Sequence, residues 1–392
     1  MKKRLLKVLT LGLALIMCLS LTACGGETDQ PEDAIVLGWI GPLTGDNTIW
    51  GTAEMQSLQM LVDETNEAGG ILDKQIVLKT YDNRGDPVET TNAAKKAIQQ
   101  DGCVGLFGCN ASACAIALSE VCEEFKIPQI ATTATNSKLT QDDDGTVHEY
   151  TFRVCLSDPQ MGDVMAQYAY QELGIHSVAI IYEIGSDYSL GVTQNFTDSF
   201  TAQGGTVVAS EAYNTGDVDF RAQLTNIASM DFDALFIPAN YKEVGLVANQ
   251  ARSMGIDQQL IGPDAWQVDD LFSLAAEAME GGYFVSGTDI TSDSLQDFSD
   301  RFYALYDYYP SEVGTNAFFA ADAFMLMKNA IETAGTVDST LIRDALENTE
   351  GLQCLTSEIT VLPESHNPLR SATIFTIQDS SFVRVTDYML TA

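Results

Sequence analysis

The sequence has little positive charge, few histidines and no long apolar run beyond its first two dozen residues. Its 392 residues contain 20 lysines and arginines against 55 aspartates and glutamates, for a formal net charge of −35. Basic residues form no run after position 23, which argues against binding to nucleic acid or to anionic lipid headgroups. No later apolar run is long enough to span a bilayer. The acids are scattered, which is typical of a solvated surface.

Motifs for catalysis are also missing. The sequence has no GxSxG nucleophile elbow and no Walker A motif, and the glycine-rich stretch 102–108 does not match GxGxxG. The three histidines stand far apart, so they form neither a metal site nor a catalytic arrangement. We therefore expect a protein that is not an enzyme and that uses no cofactor, metal or catalytic residue.

Cysteine is present but irregularly spaced. Six cysteines follow Cys24, and four of them fall between positions 103 and 122. Export would permit disulfides, but the spacing matches no metal motif. We expect buried free thiols or a single bridge, and the sequence does not say which.

The first 24 residues have the pattern of an export signal. Basic residues at positions 2–7 precede about 14 mostly apolar residues (8–21), as in a signal peptide. The following Leu21-Thr22-Ala23-Cys24 resembles a bacterial lipobox, whose cysteine becomes the lipidated N-terminus. This implies a signal peptide over 1–23, lipidation of Cys24, a linker over 24–34, and a protein anchored outside the cytoplasm by its acyl chains. An ordinary signal peptide cleaved near Ala23 is the alternative.

Short apolar runs and amphipathic stretches then alternate along the chain. Strands are predicted at 35–40, 76–81, 104–107 and 127–131, with helices at 52–68, 87–100 and 112–125 between them. This rhythm is typical of βαβ units and a parallel sheet.

The same rhythm restarts after residue 154. Helices are predicted at 160–173, 190–202, 220–229 and 242–254, and strands at 177–182, 206–212, 234–237 and 259–261. The last third adds helices near 294–308, 314–334 and 339–348, then sheet-like runs at 357–361, 373–377 and 382–385.

The predicted fold class is therefore α/β, with two doubly wound parallel-sheet lobes. Because the last third departs from the rhythm, we expect each lobe to be completed by returning chain, with several crossovers forming a hinge. The predicted boundaries are 35–157 with 287–362 for the N-terminal lobe, and 158–286 with 363–392 for the C-terminal lobe.

Seven short pieces stand in order along the chain: Gly41-Pro42-Leu43-Thr44-Gly45, Trp50-Gly51, the stretch 66–71, Tyr81-Asp82 with Asp86-Pro87, Ala134-Thr135, Gln250-Ala251-Arg252 with Gly255, and Gly262-Pro263-Asp264. Together they resemble the type I periplasmic binding proteins of the leucine/isoleucine/valine-binding family. The resemblance covers nearly the whole chain after the leader. It implies a monomer whose two lobes close on one small ligand, an amino acid of branched-chain or related type, and deliver it to an ABC permease.

The resemblance assigns the ligand's carboxylate to one lobe. Ser112 and Thr135 match the hydroxyl residues that bind it, and Thr133 matches the position whose carbonyl receives the ammonium. Ser112 would also stand where a helix begins, so free backbone N–H groups would point at the same anion. The alternative for Ser112 is an N-cap with no ligand role.

The ligand's ammonium is assigned to the other lobe. Asp264 matches an acid that the family places against the ammonium, and a buried carboxylate does require a cationic partner. Tyr188 and Tyr241 match aromatic positions that contact the ammonium or the side chain. Asp158, at the crossing between lobes, would touch the ligand or cap the helix after Pro159. Turn formation for Asp264 and interface packing for the tyrosines are the alternatives.

The side-chain end of the site departs from the family. Trp50 stands where the family often has a smaller aromatic, and Trp266 would narrow the pocket or pack between the lobes. The position before Asp86-Pro87 is Gly85, so the family's cysteine pair is not reproduced. Two alternatives to amino-acid transport therefore stay open: a non-amino-acid ligand (an amide, a urea-like compound or an aromatic acid), and a sensor that feeds no transporter.

Overall fold

The computed structural model describes residues 33–389, so the leader and Cys24 lie outside the described residues. Residues 35–389 form one unit of alternating strands and helices. Among the described helices, none has both the length and the apolar character that crossing a bilayer requires.

The helices are α1 (Thr48–Glu67), α2 (Pro87–Gln99), α3 (Ser112–Phe125), α4 (Asp158–Gln171), α5 (Asp187–Ala202), α6 (Arg221–Ala228), α7 (Tyr241–Ser253), α8 (Asp270–Met279), α9 (Gln296–Tyr306), α10 (Asn316–Ala334) and α11 (Ser339–Glu347). The strands are β1 (Ile35–Gly41), β2 (Ile76–Asp82), β3 (Gly105–Gly108), β4 (Gln129–Ala131), β5 (Thr151–Arg153), β6 (Ser177–Glu183), β7 (Thr206–Tyr213), β8 (Ala234–Phe236), β9 (Gln259–Gly262), β10 (Tyr283–Ser286), β11 (Leu352–Gln353), β12 (Glu358–Val361), β13 (Pro368–Leu369), β14 (Ser371–Gln378) and β15 (Ser381–Met389).

The first lobe is built on a five-stranded parallel sheet with strand order β2-β1-β3-β4-β5. Its strands β1 and β3 are apolar on both faces, as strands covered by helices on both sides require. The long helix α10 packs against α1 and β3 and buries Phe319, Phe324 and Met327 in the core of this lobe. Chain from the last third therefore completes the first lobe.

The second lobe is built on a seven-stranded sheet with order β15-β14-β10-β9-β8-β6-β7. The five strands from β10 to β7 are parallel, whereas β14 and β15 form an antiparallel hairpin at the edge. The predicted parallel sheet is confirmed for these five strands. The edge differs because a two-residue turn at Asp379 and Ser380 returns the chain directly into an antiparallel hairpin.

Local sequence signals fix several helix starts. Asp86 accepts hydrogen bonds from Val88 and Glu89 at the start of α2, where Pro87 occupies a position that needs no N–H donor. Ser157 and Gln160 form a reciprocal capping box at the start of α4. These caps set the direction in which each helix leaves the edge of its sheet.

Arg370 ties the crossings between the lobes together. Arg370 itself lies between β13 and β14, where the chain passes to the second sheet. Its guanidinium donates to the carbonyl oxygens of Val154, in the crossing just after β5, and Gly287, in the crossing just after β10, and to the Thr356 hydroxyl. It is fully buried, lies 3.9 Å from the Asp322 carboxylate and stacks 4.6 Å from the Phe319 ring. One charged side chain thus holds all three crossings in place.

Some sequence expectations differ from the structure. Helix α1 begins at Thr48 rather than near residue 52, and the described chain contains β10 and α8, which were not predicted.

The six cysteines after Cys24 are free thiols, five of them buried.

Candidate functional site

A cavity of about 410 Å³ lies between the two lobes. Its walls come from the loops that follow β1, β2, β3 and β4 in the first lobe and β6, β7, β8 and β9 in the second. The carboxyl ends of parallel strands are where α/β sheets bind ligands. Six of the predicted site residues line this cavity: Trp50, Ser112, Thr133, Tyr188, Tyr241 and Asp264.

Ser112 is the first residue of α3, and its neighbours Ala111 and Ala113 also line the cavity. The N-cap position belongs to Ala111 and carries no side-chain hydrogen bond, so Ser112 does not cap the helix. The first backbone N–H groups of a helix lack partners within it. The hydroxyl and this helix start together suit a negatively charged group.

Thr133 stands beside a buried acid of the first lobe. Its hydroxyl lies 3.1 Å from Oδ1 of Asn316 and 3.5 Å from Oε1 of Glu54. Glu54 is fully buried and also accepts hydrogen bonds from Thr132 at 2.7 Å and Trp39 at 3.2 Å. Burial raises the pKa of Glu54 to about 7, and these hydrogen bonds partly offset that effect.

Asp264 presents a carboxylate on the second-lobe wall. It starts a short 3₁₀ turn after β9, and its Oδ1 accepts a hydrogen bond of 2.8 Å from the Tyr188 hydroxyl. Burial raises the pKa of Asp264 to about 6 and, together with the nearby Asp264 charge, raises that of Tyr188 as well. An acid in this setting gains stability from a positive partner.

Trp50 and Tyr241 meet across the cleft. Trp50 lies in the first turn of α1, and Tyr241 is the first residue of α7. Their rings pack edge to face with centroids 5.6 Å apart. Tyr241 therefore combines the interface packing considered for it with a place in the cavity wall.

Thr135 and Asp158 are not brought to the cavity. Both are fully buried, and the carboxylate of Asp158 packs against Gly191 of α5, where a Cβ atom would collide with it. Burial raises the pKa of Asp158 to about 7, an effect that the nearby Thr135 hydroxyl partly offsets. The capping alternative for Asp158 is wrong because Ser157 caps α4. Direct contact of these two residues with a ligand stays a prediction.

Trp266 neither narrows the cavity nor packs between the lobes. Its indole is fully buried in the second lobe, lies on Gly262 and donates a 3.1 Å hydrogen bond to the carbonyl of Ile237. Only glycine leaves room for the ring at that point of β9.

Several cavity residues were not singled out from the sequence. They include an amide from each lobe, Asn110 and Gln267, and the acids Glu183, Asp187 and Glu243. All follow or end strands, or begin helices, at the cavity edge. Asn110 and Glu183 stand within three residues of the ends of predicted strands, and that position could have identified them. Gln267 carried no such signal.

The cavity wall is acidic, and contacts join its two sides. Five acids line it against two basic residues, Arg84 and Lys242. The Asn136 amide of the first lobe donates to the carbonyl of Asp187 at 2.7 Å. Lys242 reaches back to Asp46, with Nζ 3.5 Å from the carboxylate. Within residues 33–389, no group of three or more histidine, cysteine or acidic side chains is placed to hold a metal ion.

Comparisons with known proteins identify the family of the chain. A family model described as periplasmic binding protein matches residues 34–381. The Leu/Ile/Val-binding protein BraC3 of Rhizobium johnstonii is 30% identical over 329 residues, covering 83% of this chain and 87% of that protein.

Two solved structures share the architecture. The leucine-binding protein LivK of Thermotoga maritima is 27% identical with a TM-score of 0.82, covering 90% of this chain and 98% of that one. The branched-chain amino acid transporter substrate-binding protein LivJ of Streptococcus pneumoniae, solved with isoleucine, is 29% identical with a TM-score of 0.79, covering 90% and 100%. The chain belongs to the type I periplasmic binding proteins, in the family of the leucine/isoleucine/valine-binding proteins.

Proposed function

We propose that this solute-binding protein is the receptor of an ABC importer and binds an α-amino acid in the cavity between its lobes. The observation that carries the proposal is the Asp264 carboxylate in the cavity wall, with Tyr188 as its one side-chain hydrogen-bond partner among the described residues. A partly buried carboxylate with a single side-chain donor gains stability from a cation, and an α-ammonium group supplies one.

The opposite wall suits the other end of such a ligand. The Ser112 hydroxyl and the start of α3 would bind the α-carboxylate, and the carbonyl of Thr133 would accept a hydrogen bond from the ammonium. Tyr241 and Trp50 would enclose the side chain. Ligand contacts across both walls would favour the closed arrangement of the lobes, which a permease could then recognise.

The remaining predictions complete the proposal. The protein acts as a monomer outside the cytoplasm, anchored through Cys24 after removal of residues 1–23, and partners a membrane permease. It binds no nucleic acid, catalyses no reaction and uses no cofactor. Its lobes divide at the predicted boundaries, 157/158, 286/287 and 362/363.

A thermal-shift screen tests the proposal. The purified protein is heated with each common α-amino acid, several small amides and several aromatic acids. A ligand at 100 times its dissociation constant adds about 2.7 kcal/mol to the free energy of unfolding, a clear rise in melting temperature. A shift with α-amino acids supports the proposal. A shift with aromatic acids or amides alone would overturn it in favour of a non-amine ligand.

A further inference from the structure

Asn136 joins the two lobes without lining the cavity. It lies in the loop after β4 of the first lobe, and its side-chain amide donates a 2.7 Å hydrogen bond to the carbonyl oxygen of Asp187, the first residue of α5 in the second lobe. The ring pair and the ion pair described above also cross the cleft, but they join residues that themselves line the cavity. Asn136 therefore connects the lobes at a point that a ligand need not touch.

The first lobe holds the Asn136 side chain in place for this bond. Asn136 is only 7% exposed, and its Oδ1 accepts a 3.0 Å hydrogen bond from the N–H of Lys138, at the start of the short helix 137–139. Its main-chain carbonyl accepts a 2.7 Å hydrogen bond from the buried guanidinium of Arg153. Because Oδ1 is used as an acceptor within the first lobe, the NH₂ end of the amide is the end that faces Asp187.

Gly191 leaves the space that the bond between the lobes requires. It lies on α5 one helical turn after Asp187. A Cβ atom at this position would stand 2.6 Å from Nδ2 of Asn136 and 1.9 Å from Oδ2 of Asp158. Glycine is unfavourable inside a helix, and the close approach of Asn136 and Asp158 is the reason that this position needs it. A larger residue would push the Asn136 amide away from the Asp187 carbonyl.

Asn136 also contacts the proposed carboxylate site. Its main-chain N–H donates a 3.4 Å hydrogen bond to Oγ of Ser112. A hydroxyl oxygen that accepts this bond keeps its own O–H as a donor for a ligand. One residue thus contacts the ligand-binding hydroxyl of the first lobe and the backbone of the second lobe.

We propose that Asn136 and Gly191 form a latch that stabilises the closed arrangement of the lobes, with Asn136 as a positioning residue rather than a ligand contact. The latch adds the same free energy to closure whichever ligand fills the cavity, because no ligand atom takes part in it. It therefore strengthens the binding of every ligand by one common factor and leaves selectivity unchanged. The inference rests on the lobe closure of the proposed function and is independent of the class of ligand.

Small-angle X-ray scattering of the purified protein, alone and with excess L-leucine, tests the latch. Asn136→Ser keeps an oxygen that can accept from the Lys138 N–H, but its side chain is too short to reach Asp187 as well. Asn249→Ser is the matched control, because the Asn249 amide donates a 2.9 Å hydrogen bond to the carbonyl of Leu274 within the second lobe. We expect a larger radius of gyration for Asn136→Ser than for the wild type and the control.

Each result of the scattering experiment has a defined meaning. Equal radii for Asn136→Ser and the wild type in both conditions would overturn the latch. An equal increase in the control would also overturn it, because the change would then follow the loss of any side-chain hydrogen bond. A wild-type radius that does not respond to L-leucine would count against L-leucine as the ligand, whereas the comparison without L-leucine still decides on the latch.

Titration calorimetry with L-leucine and L-isoleucine separates positioning from ligand contact. Asn136→Ser should weaken both ligands by the same factor, about three- to tenfold, and should raise the dissociation rate accordingly. Gly191→Ala should weaken both by at least about tenfold, since its methyl group forces the amide away. Asn249→Ser should bind as the wild type does. Melting temperatures verify that each variant is folded, and the Asn136→Ser result does not depend on Gly191→Ala.

The ratio of the two affinities is the decisive quantity. A changed ratio in Asn136→Ser would make Asn136 a ligand contact and overturn its positioning role. Unchanged affinities in Asn136→Ser, with the melting temperature of the wild type, would overturn the latch. Absence of binding of both probes to the wild type would count against the proposed ligand and leave the scattering comparison to decide on the latch.

Discussion

The two walls of the cleft offer opposite chemistry. On the first lobe, Ser112 and the start of α3 present hydroxyl and N–H donors. On the second lobe, Asp264 presents a carboxylate supported by Tyr188. Under the proposed function, a zwitterion would lie between the walls with its carboxylate towards the first lobe and its ammonium towards the second. The contrast between the walls therefore supports the proposed class of ligand and a direction for it.

One acid from each lobe, Glu54 from the first and Asp264 from the second, also differs in its hydrogen-bond partners. Burial raises the pKa of Glu54 to about 7 and that of Asp264 to about 6. Glu54, however, is enclosed by Trp39, Thr132 and Thr133 beneath the wall, whereas Asp264 lines the cavity. Hydrogen-bond donors of the protein satisfy the first acid. The second acid has one side-chain donor, Tyr188, and lines the cavity, which is why we propose a ligand as its further partner. Burial alone does not mark a binding residue.

The largest expected loss of binding comes from neutralising Asp264 on the second-lobe wall. Asp264→Asn keeps the shape of the side chain and removes the charge, so it should cost about 2–5 kcal/mol of binding free energy. Titration calorimetry with the amino acid found in the screen measures the loss. Tyr188→Phe serves as the companion variant and should cost less, because the carboxylate remains. A loss of less than about threefold, or 0.7 kcal/mol, for Asp264→Asn would contradict the assigned role.

The first-lobe wall, with Ser112 and the start of α3, should contribute less binding free energy per side chain than Asp264 does. Ser112→Ala removes one hydroxyl but leaves the backbone donors of α3, so we expect a loss of about 1–3 kcal/mol in binding free energy. The same titration measures it. Ser137→Ala, in a short helix outside the cavity, is the control and should bind as the wild type does. Equal affinities for both variants would remove Ser112 from the site.

The acidic wall should also make binding depend on pH. The pKa of Asp264 is about 6 without ligand, and an ammonium group favours its ionised form. Affinity should therefore be full above pH 7 and should fall as pH drops through 6, approaching a tenfold loss per pH unit. Titrations from pH 4.5 to 8 measure the curve, and Asp264→Asn should flatten it. Affinity that rises as the pH falls would indicate an anionic ligand without an amine.

The smallest effect should come from the ion pair that bridges the walls at their rim. Lys242 and Asp46 pair at 3.5 Å, but their side chains are 41% and 99% exposed. Solvent screening limits such a pair to about 0–1 kcal/mol. Lys242→Ala and Asp46→Ala should each change the dissociation constant by no more than about fivefold. A loss above tenfold for Lys242→Ala alone would show that the cation itself contacts the ligand.

Much of this architecture follows from the sequence. The βαβ rhythm predicted both sheets, and the return of α10 to the first lobe agrees with the departure seen in the last third. Strand β10 was missed although its Tyr283-Phe284-Val285 run follows two glycines and is typical of a buried strand. Both strands of the β14–β15 hairpin were predicted as sheet. Their antiparallel pairing was not predicted, since the relative direction of two strands depends on the turn between them.

The site was predictable where a residue type carries its own chemistry. Ser112 and Asp264 were identified by their match to the family, and the structure brings both to the cavity. Gln267 was not identified, because its place in the cavity wall is a property of packing around it rather than of sequence. Asp158 shows the converse: an acid at the right place along the chain is buried against Gly191 instead of facing the cavity.

The most direct test of the account compares amino acids with their counterparts that lack the α-amino group. Titration calorimetry at pH 7.5 would compare the binding of L-glutamine with that of glutaric acid monoamide, which is glutamine without its α-amino group. It would likewise compare L-leucine with 4-methylpentanoate, which is leucine without its α-amino group. If Asp264 binds an α-ammonium, the amino acid of the better-bound pair should exceed its counterpart by at least a hundredfold in affinity, about 2.7 kcal/mol. Equal or tighter binding of the des-amino compound would contradict the account.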